Sequence, residues 1–246
     1  MWHFTSDWHL NHHNILKYCD RPFLNKEEQE LLDLSKSGSL PIKSIEISQE
    51  SVQRMNQCII DSTNSVVSED DSLVILGDFC WTSTPRDQVA HFIDSLRCKN
   101  IYLIWGNHDN RQILQPFFKA TYDQYVFYVE KQHIFVSHYP CRSWYLSNYG
   151  SWMLYGHVHN NFWHQDNHRP TDLQKESLKV SLKEHFNLDP DQFDFENFAN
   201  STISLFNKNL RTLDVGVDNV RENVPFGTPW SLNDIRFYME NKELNK

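Results

Sequence analysis

Five short apolar runs in this chain each stop at side chains that can bind a metal ion, and three of the stops are introduced by a glycine. Trp2–Ser6 runs into Asp7 and His9. Leu73–Leu76 runs into Gly77-Asp78, and Ile101–Trp105 into Gly106-Asn107-His108-Asp109. His133–Ser137 ends at His138, and Trp152–Tyr155 at Gly156-His157-Val158-His159. Glycine is scarce, 7 in 246 residues, while histidine is abundant at 13, so a glycine set beside these donors carries information. Apolar runs of this length bounded by turn residues predict buried strands. Strand ends on one edge of an open α/β sheet lie side by side, and ligands bind along that edge. Side chains alternate along extended chain, so Asp7 and His9, like His157 and His159, are expected to point the same way. A mixture of carboxylates and imidazoles suits Mn, Fe or Zn better than Ca or Mg.

Helical periods separate the first strands. A short helix is expected from about Asn11–Asn14 to Tyr18, stopped by Arg21-Pro22-Phe23. Ser48 caps a helix to about Asp61 with Val52, Met55 and Ile59 on one face. Thr84-Pro85 reads as an N-cap with proline at the first helical position, ahead of Val89, Phe92, Ile93 and Leu96. Tyr125–Val129 and His133–Ser137 read as a hairpin, and Ser231 to Asp234 resembles a capping box opening a last helix, Leu232 to about Lys242. Two stretches break the rhythm. Residues 25–47 carry a helix at Glu27–Leu34, and residues 160–209 carry helices at Thr171–Phe186 and Asp189–Phe198 and a strand at Thr202–Phe206; Leu210–Val215 is a further strand. The expectation is one α/β domain over 1–246 with insertions at about 25–47 and 160–209.

Charge narrows the partners. The net charge of −9 argues against tight electrostatic binding of duplex nucleic acid. A single strand could still stack on aromatics such as Trp144, Trp152 or Trp163. No stretch approaches the roughly 18 apolar residues of a membrane span, and the N-terminal residues lack a secretory pattern. Five widely spaced cysteines, never in a CxxC, predict neither a disulfide framework nor a Cys-type zinc site. The expected compartment is the cytoplasm.

Taken in order, Asp7-Trp8-His9, Gly77-Asp78, Gly106-Asn107-His108-Asp109, His138 and Gly156-His157-Val158-His159 resemble the five motif blocks of the calcineurin-like metallophosphoesterase superfamily. Similarity to a small bacterial, archaeal or phage branch rests on Asn14-Ile15, Arg21-Pro22-Phe23, Met55-Asn56, His138-Tyr139-Pro140, Gly216-Val217-Asp218 and Ser231-Leu232. The resemblance covers roughly 1–24, 48–159 and 210–236. It implies two packed mixed β-sheets flanked by helices, a four-layer αββα sandwich. It also implies two divalent ions, manganese foremost with iron or zinc as alternatives. Asp7, His9 and His159 would hold one ion, Asn107, His138 and His157 the other, and Asp78 both. A hydroxide between the ions would attack phosphorus in line, with His108 contacting the phosphoryl group or protonating the leaving oxygen and Asp109 orienting His108. His12, Arg21 and Arg142 are candidate substrate contacts, and Asp218 either faces the metal edge or ends a strand. The family's phosphoprotein phosphatases carry Asp-Arg-Gly after the bridging Asp; here Phe79-Cys80-Trp81 follows, which argues against a phosphoprotein substrate. The expected function is hydrolysis of a small phosphodiester or nucleotide-type ester. The alternatives are a metal-dependent nuclease on single-stranded or end-containing DNA or RNA, and a silent metal-binding regulatory module.

Overall fold

A computed structural model describes residues 1–160, 183 and 211–241. Strands β1 (Trp2–Thr5), β2 (Ser72–Ile75), β3 (Asn100–Ile104) and β4 (Ala120–Tyr122) run parallel in the order β4-β3-β2-β1. A second sheet has the order β5-β6-β7-β8, from Gln124–Val129, Gln132–Ser137, Trp152–Tyr155 and Thr212–Asp214. Its first pair is antiparallel and the other two are parallel. The last strand, β9 (Trp230–Ser231), closes the first sheet antiparallel to β1. Both sheets are therefore mixed, and helices flank them.

The period of two along the buried strands explains the layering. Leu73, Ile75, Ile101 and Leu103 share a core with Val52, Met55 and Ile59 of helix α3 (Gln49–Val66) and Val89 of α4 (Arg86–Ser95). The intervening Val74, Leu76 and Ile104 face the other way. They pack with Phe127, Ile134, Val136, Leu154 and Leu213 of the second sheet and with Ile235 of α6 (Leu232–Asn241). Because both faces of β2 are covered, its sequence is a continuous apolar run rather than an alternating one.

Local chemistry sets the helix ends. Helix α1 is His13–Tyr18. Ser48 caps α3, which continues five residues beyond the expected Asp61, to Val66. The expected helix at Glu27–Leu34 is α2 (Lys26–Lys36), and it starts at a capping box in which Asn25 and Glu28 bond each other's backbone N–H at 2.9 and 2.8 Å. Glu28 also accepts the Ser48 N–H at 2.6 Å, which docks the first insertion on the start of α3. Ser231 and Asp234 form the reciprocal pair expected at α6. One cap differs: Pro85 has an extended ψ of 150° and occupies the N-cap position itself, so Thr84 lies outside the helix. Strands β4 and β9 and the short helix α5 (Arg111–Leu114) were not expected, being too brief to show a period. The hairpin turn is the two residues Glu130-Lys131, both left-handed. Of the elements expected within 160–209, only Lys183, which is helical, lies inside the described residues. None of the described helices is long and apolar enough to cross a membrane.

Candidate metal centre

Beyond the C-terminal ends of β1, β2 and β7 the backbone does not continue extended. Asp7, His9, Asp78, His157 and His159 all have positive φ, at 58°, 50°, 54°, 73° and 48°. A side chain in this region costs of order 1–3 kcal/mol and persists only where the surroundings hold it. Strand alternation therefore does not explain how Asp7 and His9 come together. Each is turned by its own left-handed residue, and backbone bonds from Asp7 N–H to Gly77 and from His9 N–H to Asp78 fix the loop on its neighbour at 3.1 and 2.9 Å. His157 and His159 diverge instead: the first ring lies 5.0 Å from His138, the second 5.1 Å from His9.

Two donor groups result. One ligand atom each from Asp7, His9 and His159 lies within 4.8 Å of the others, and the same holds for Asp7, Asp78 and His138. Asp78 Oδ2 is 3.3 Å from His9 Nε2 and 3.6 Å from His138 Nε2, so it stands between the groups. Asn107 Oδ1 is 3.1 Å from His138 Nε2, and the His157 ring packs on His138 and Tyr139. The structure thus brings Asp7, His9, Asp78, His138 and His159 into these groups and sets Asn107 and His157 against His138, beside the groups rather than in them. Glycines make this closeness possible, Gly77 beside His138 among them. A Cβ on Gly156 would strike Ser6 Oγ and the Asp7 carboxylate, and one on Gly106 would strike the Asp78 carboxylate.

The donors fit cations. Buried His9 Nε2 has no hydrogen-bond partner among the described residues, an arrangement that costs about 1–3 kcal/mol. His138 donates to the Leu76 carbonyl through Nδ1 at 2.8 Å, which leaves Nε2 facing two oxygens, Asn107 Oδ1 and Asp78 Oδ2. Lone pairs converge in this way around a positive charge. Burial pushes His12 down to about 3 and His157 down to about 4, and it holds His9 well below its ordinary value. Neutral imidazole is the form that coordinates metal.

A family model for calcineurin-like phosphoesterases matches residues 3–210, most of the chain. The chain belongs to that family. It is also similar to an uncharacterized protein of Methanocaldococcus jannaschii, 29% identical over 181 residues that make up 74% of this chain and 81% of the relative. A protein of unknown function from Aquifex aeolicus, known from a crystal structure, is 21% identical with a TM-score of 0.46, over 68% of this chain and 81% of that one.

Several side chains serve this phosphoesterase differently from expectation. Asp109, expected to orient His108, makes no hydrogen bond to it among the described residues. Its two oxygens accept the backbone N–H groups of Asp78, Phe79 and Gly106 at 3.0, 2.9 and 2.8 Å, clamping the β2 and β3 loops together. Arg21 is no substrate contact. It is buried and fully engaged, with a two-pronged pair to Asp218 at 2.8 and 2.7 Å and bonds to the Trp8 and Asp7 carbonyls. Arg142 is exposed and makes no hydrogen bond or ion pair among the described residues. Trp144 and Trp152 are buried at 7% and 4% exposure and offer no stacking surface, and Trp163 lies outside the described residues.

Sequence reasoning left Asp218 open and passed over Asp214. Asp218 Oδ2 lies 2.6 Å from His159 Nδ1, which leaves Nε2 as the nitrogen available to an ion. Burial alone would raise the Asp218 carboxyl, but the Arg21 charge and the His159 bond outweigh it and hold it at about 2. Asp218→Asn leaves the Arg21 guanidinium buried without its counter-charge, which is expected to cost about 3–5 kcal/mol in denaturant unfolding. It should also weaken manganese binding about 10–100-fold in titrations. Unchanged affinity would mean that other contacts orient His159.

Asp214 accepts the N–H groups of Asn160 and Gly216 at 3.0 and 2.8 Å. Burial, reinforced by the Asp7 charge, raises Asp214 to about 7, and burial raises Asp7 as well. Unfolded aspartates titrate near about 3.9. A folded value above this means stability that is fully present below about pH 4 and lost as pH rises through 7. The depressed histidines act below their unfolded value of about 6.5, whereas His159, which burial lowers but the bond to Asp218 raises well above its ordinary value, loses stability with rising pH in the same direction as the carboxyls. Metal-free protein is therefore expected to melt at lower temperature at pH 8 than at pH 6.5. If manganese takes the place of the proton on Asp7, its stabilisation should be larger at pH 8. Thermal melts with chelator and with manganese check this; an equal increment at both pH values would contradict it.

Two clefts open at the centre, each of about 570 Å³. Adjacent residues divide them: His108 lines one with His9, His12 and His159, while Asn107 lines the other with Tyr139 and Arg111. The His108 N–H donates to Asp78 Oδ1 at 2.9 Å, and its ring lies 5.2 Å from His9 and 5.1 Å from Trp81. His108 belongs to neither donor group.

Proposed function

We propose that this phosphoesterase hydrolyses a small phosphodiester or nucleotide-type ester at a centre of two divalent ions, manganese foremost, with iron or zinc as alternatives. Asp7, His9 and His159 would hold one ion, Asn107, His138 and His157 the other, and Asp78 both. The observation that carries the reading is the position of Asp78 Oδ2, 3.3 Å from a nitrogen of one group and 3.6 Å from a nitrogen of the other. When bound, the two cations supply an activated water and offset charge gathering on the phosphoryl oxygens.

The protein's own side chains supply the rest. His108 lines a cleft beside His9 and His159, and that position suits it to protonate the leaving oxygen. Its backbone bond to Asp78 sets the ring relative to the centre. His12 is buried against Trp81 and borders the phosphoryl position. A cleft of about 570 Å³ matches a small molecule better than a polymer, and the −9 charge agrees. Five free thiols support a reducing, cytoplasmic setting.

The test is a manganese-supplemented panel separating diesters from monoesters and small from polymeric substrates. Cleavage of small diesters or nucleotides with inert oligonucleotides is expected. Polynucleotide cleavage with steep salt dependence would replace this reading with a nuclease. Two bound ions without any turnover would leave a metal-binding module.

A further inference from the structure

The cleft beside His108 has a composition that a phosphate site does not need. No lysine, arginine, aspartate or glutamate is among the described residues that line it. Its walls are Ile15, Tyr18, Trp81 and Val158, with the Asn14 amide at the side. Trp81 is the unusual member. Its indole stacks on the His12 ring at 3.8 Å and 16°, and it remains only half-buried at the cleft rather than joining the core. Its backbone is pinned on both sides, the N–H to the Leu10 carbonyl and the carbonyl to the Thr84 N–H, each at 2.8 Å. Such an aromatic is held in place before any ligand arrives, so little ordering remains to oppose binding. Tyr18, 50% exposed, adds a second ring.

The neighbouring cleft has the opposite character. Arg111, Asp123, Gln124 and Asn107 line it, and Arg111 pairs with Asp123 over the Trp105 ring. The two sides of the centre therefore differ in what they can hold.

We propose that the cleft walled by Trp81 and Tyr18 is the subsite for a flat, uncharged aromatic group of the ester, a nucleobase, with Trp81 its specificity-determining residue. The inference rests on the phosphoester reading, which puts the anionic phosphorus at the donors His9 and His159 on one side of the cleft and leaves its aromatic side, without carboxylate, lysine or arginine, beside it. Stacking is tolerant of the base's identity, and the Asn14 amide can both donate to and accept from a base edge.

The test compares two esters with the same reacting bond and charge. One is the methyl diester of adenosine 5′-phosphate; the other is the methyl diester of ribose 5-phosphate, which lacks the base. For the manganese-loaded full chain, kcat/KM should favour the base-bearing ester by about 5- to 150-fold. Trp81→Ala should erase that preference, mainly through KM, while sparing the abasic ester. Trp81→Phe should retain most of it. Equal rates for the two esters in the unaltered protein would overturn the proposal, as would an equal loss on both in Trp81→Ala, which would make Trp81 a support for His108.

Calorimetric binding of AMP and of ribose 5-phosphate separates this proposal from the reading beneath it. If no ester turns over but AMP binds more tightly, and Trp81→Ala removes the difference, the base subsite stands and the hydrolytic reading falls. Equal binding of the two overturns the subsite whatever the enzyme hydrolyses.

Discussion

Asp78→Ala is expected to release both ions together and to abolish phosphoester hydrolysis. Asp78 Oδ2 lies between His9 and His138, one from each donor group, as Asp7 also belongs to both groups. Its other oxygen accepts the His108 N–H at 2.9 Å, so the substitution also frees the loop bearing the proposed acid. The loss of metal affinity should exceed the roughly 10–100-fold that removing an outer partner costs. Asp78→Asn separates the two effects, because its carbonyl oxygen can still hold the His108 N–H while the charge is gone. Elemental analysis after dialysis, alongside turnover, gives the answer. One ion retained in full by Asp78→Ala would assign Asp78 to a single site.

His108→Ala is the complementary case. It should keep its full complement of manganese and its melting temperature, yet lose about 10²–10⁴-fold in turnover. The loss should shrink for esters of p-nitrophenol, whose oxygen leaves without needing a proton, and be largest for alkyl esters. That contrast is specific to an acid. Uniform loss across leaving groups would point to phosphate binding, and release of manganese would make His108 a ligand.

The centre was legible in the sequence because its donors sit at the ends of strands whose apolar runs are buried on both faces. Val74 and Ile75 face different cores, so the run between Ser72 and Gly77 has no polar interruption and its end stands out. Left-handed residues, not strand alternation, turn Asp7 and His9 inward. Backbone conformation of that kind leaves no mark when the residue is an aspartate or histidine rather than a glycine. The roles of Arg21 and Asp218 were hidden for another reason. They pair across 197 positions of sequence, and a buried guanidinium looks the same in a sequence as one that awaits phosphate. Asp109 misled by adjacency, since it follows His108 in the chain yet spends both oxygens on backbone N–H groups. In the sequence Trp81 stands only as a departure from a phosphatase motif; its stacking on His12 is a tertiary fact.

The hydrogen bond from Asn160 to Asp214 has a wider consequence. Residue 160 is where the chain leaves the centre, and β8, the strand it returns to, is the parallel neighbour of β7. That bond couples the turn after His159 to the end of β8 across 54 positions of sequence, so loss of the Asp214 carboxylate would loosen the footing of an imidazole at the centre.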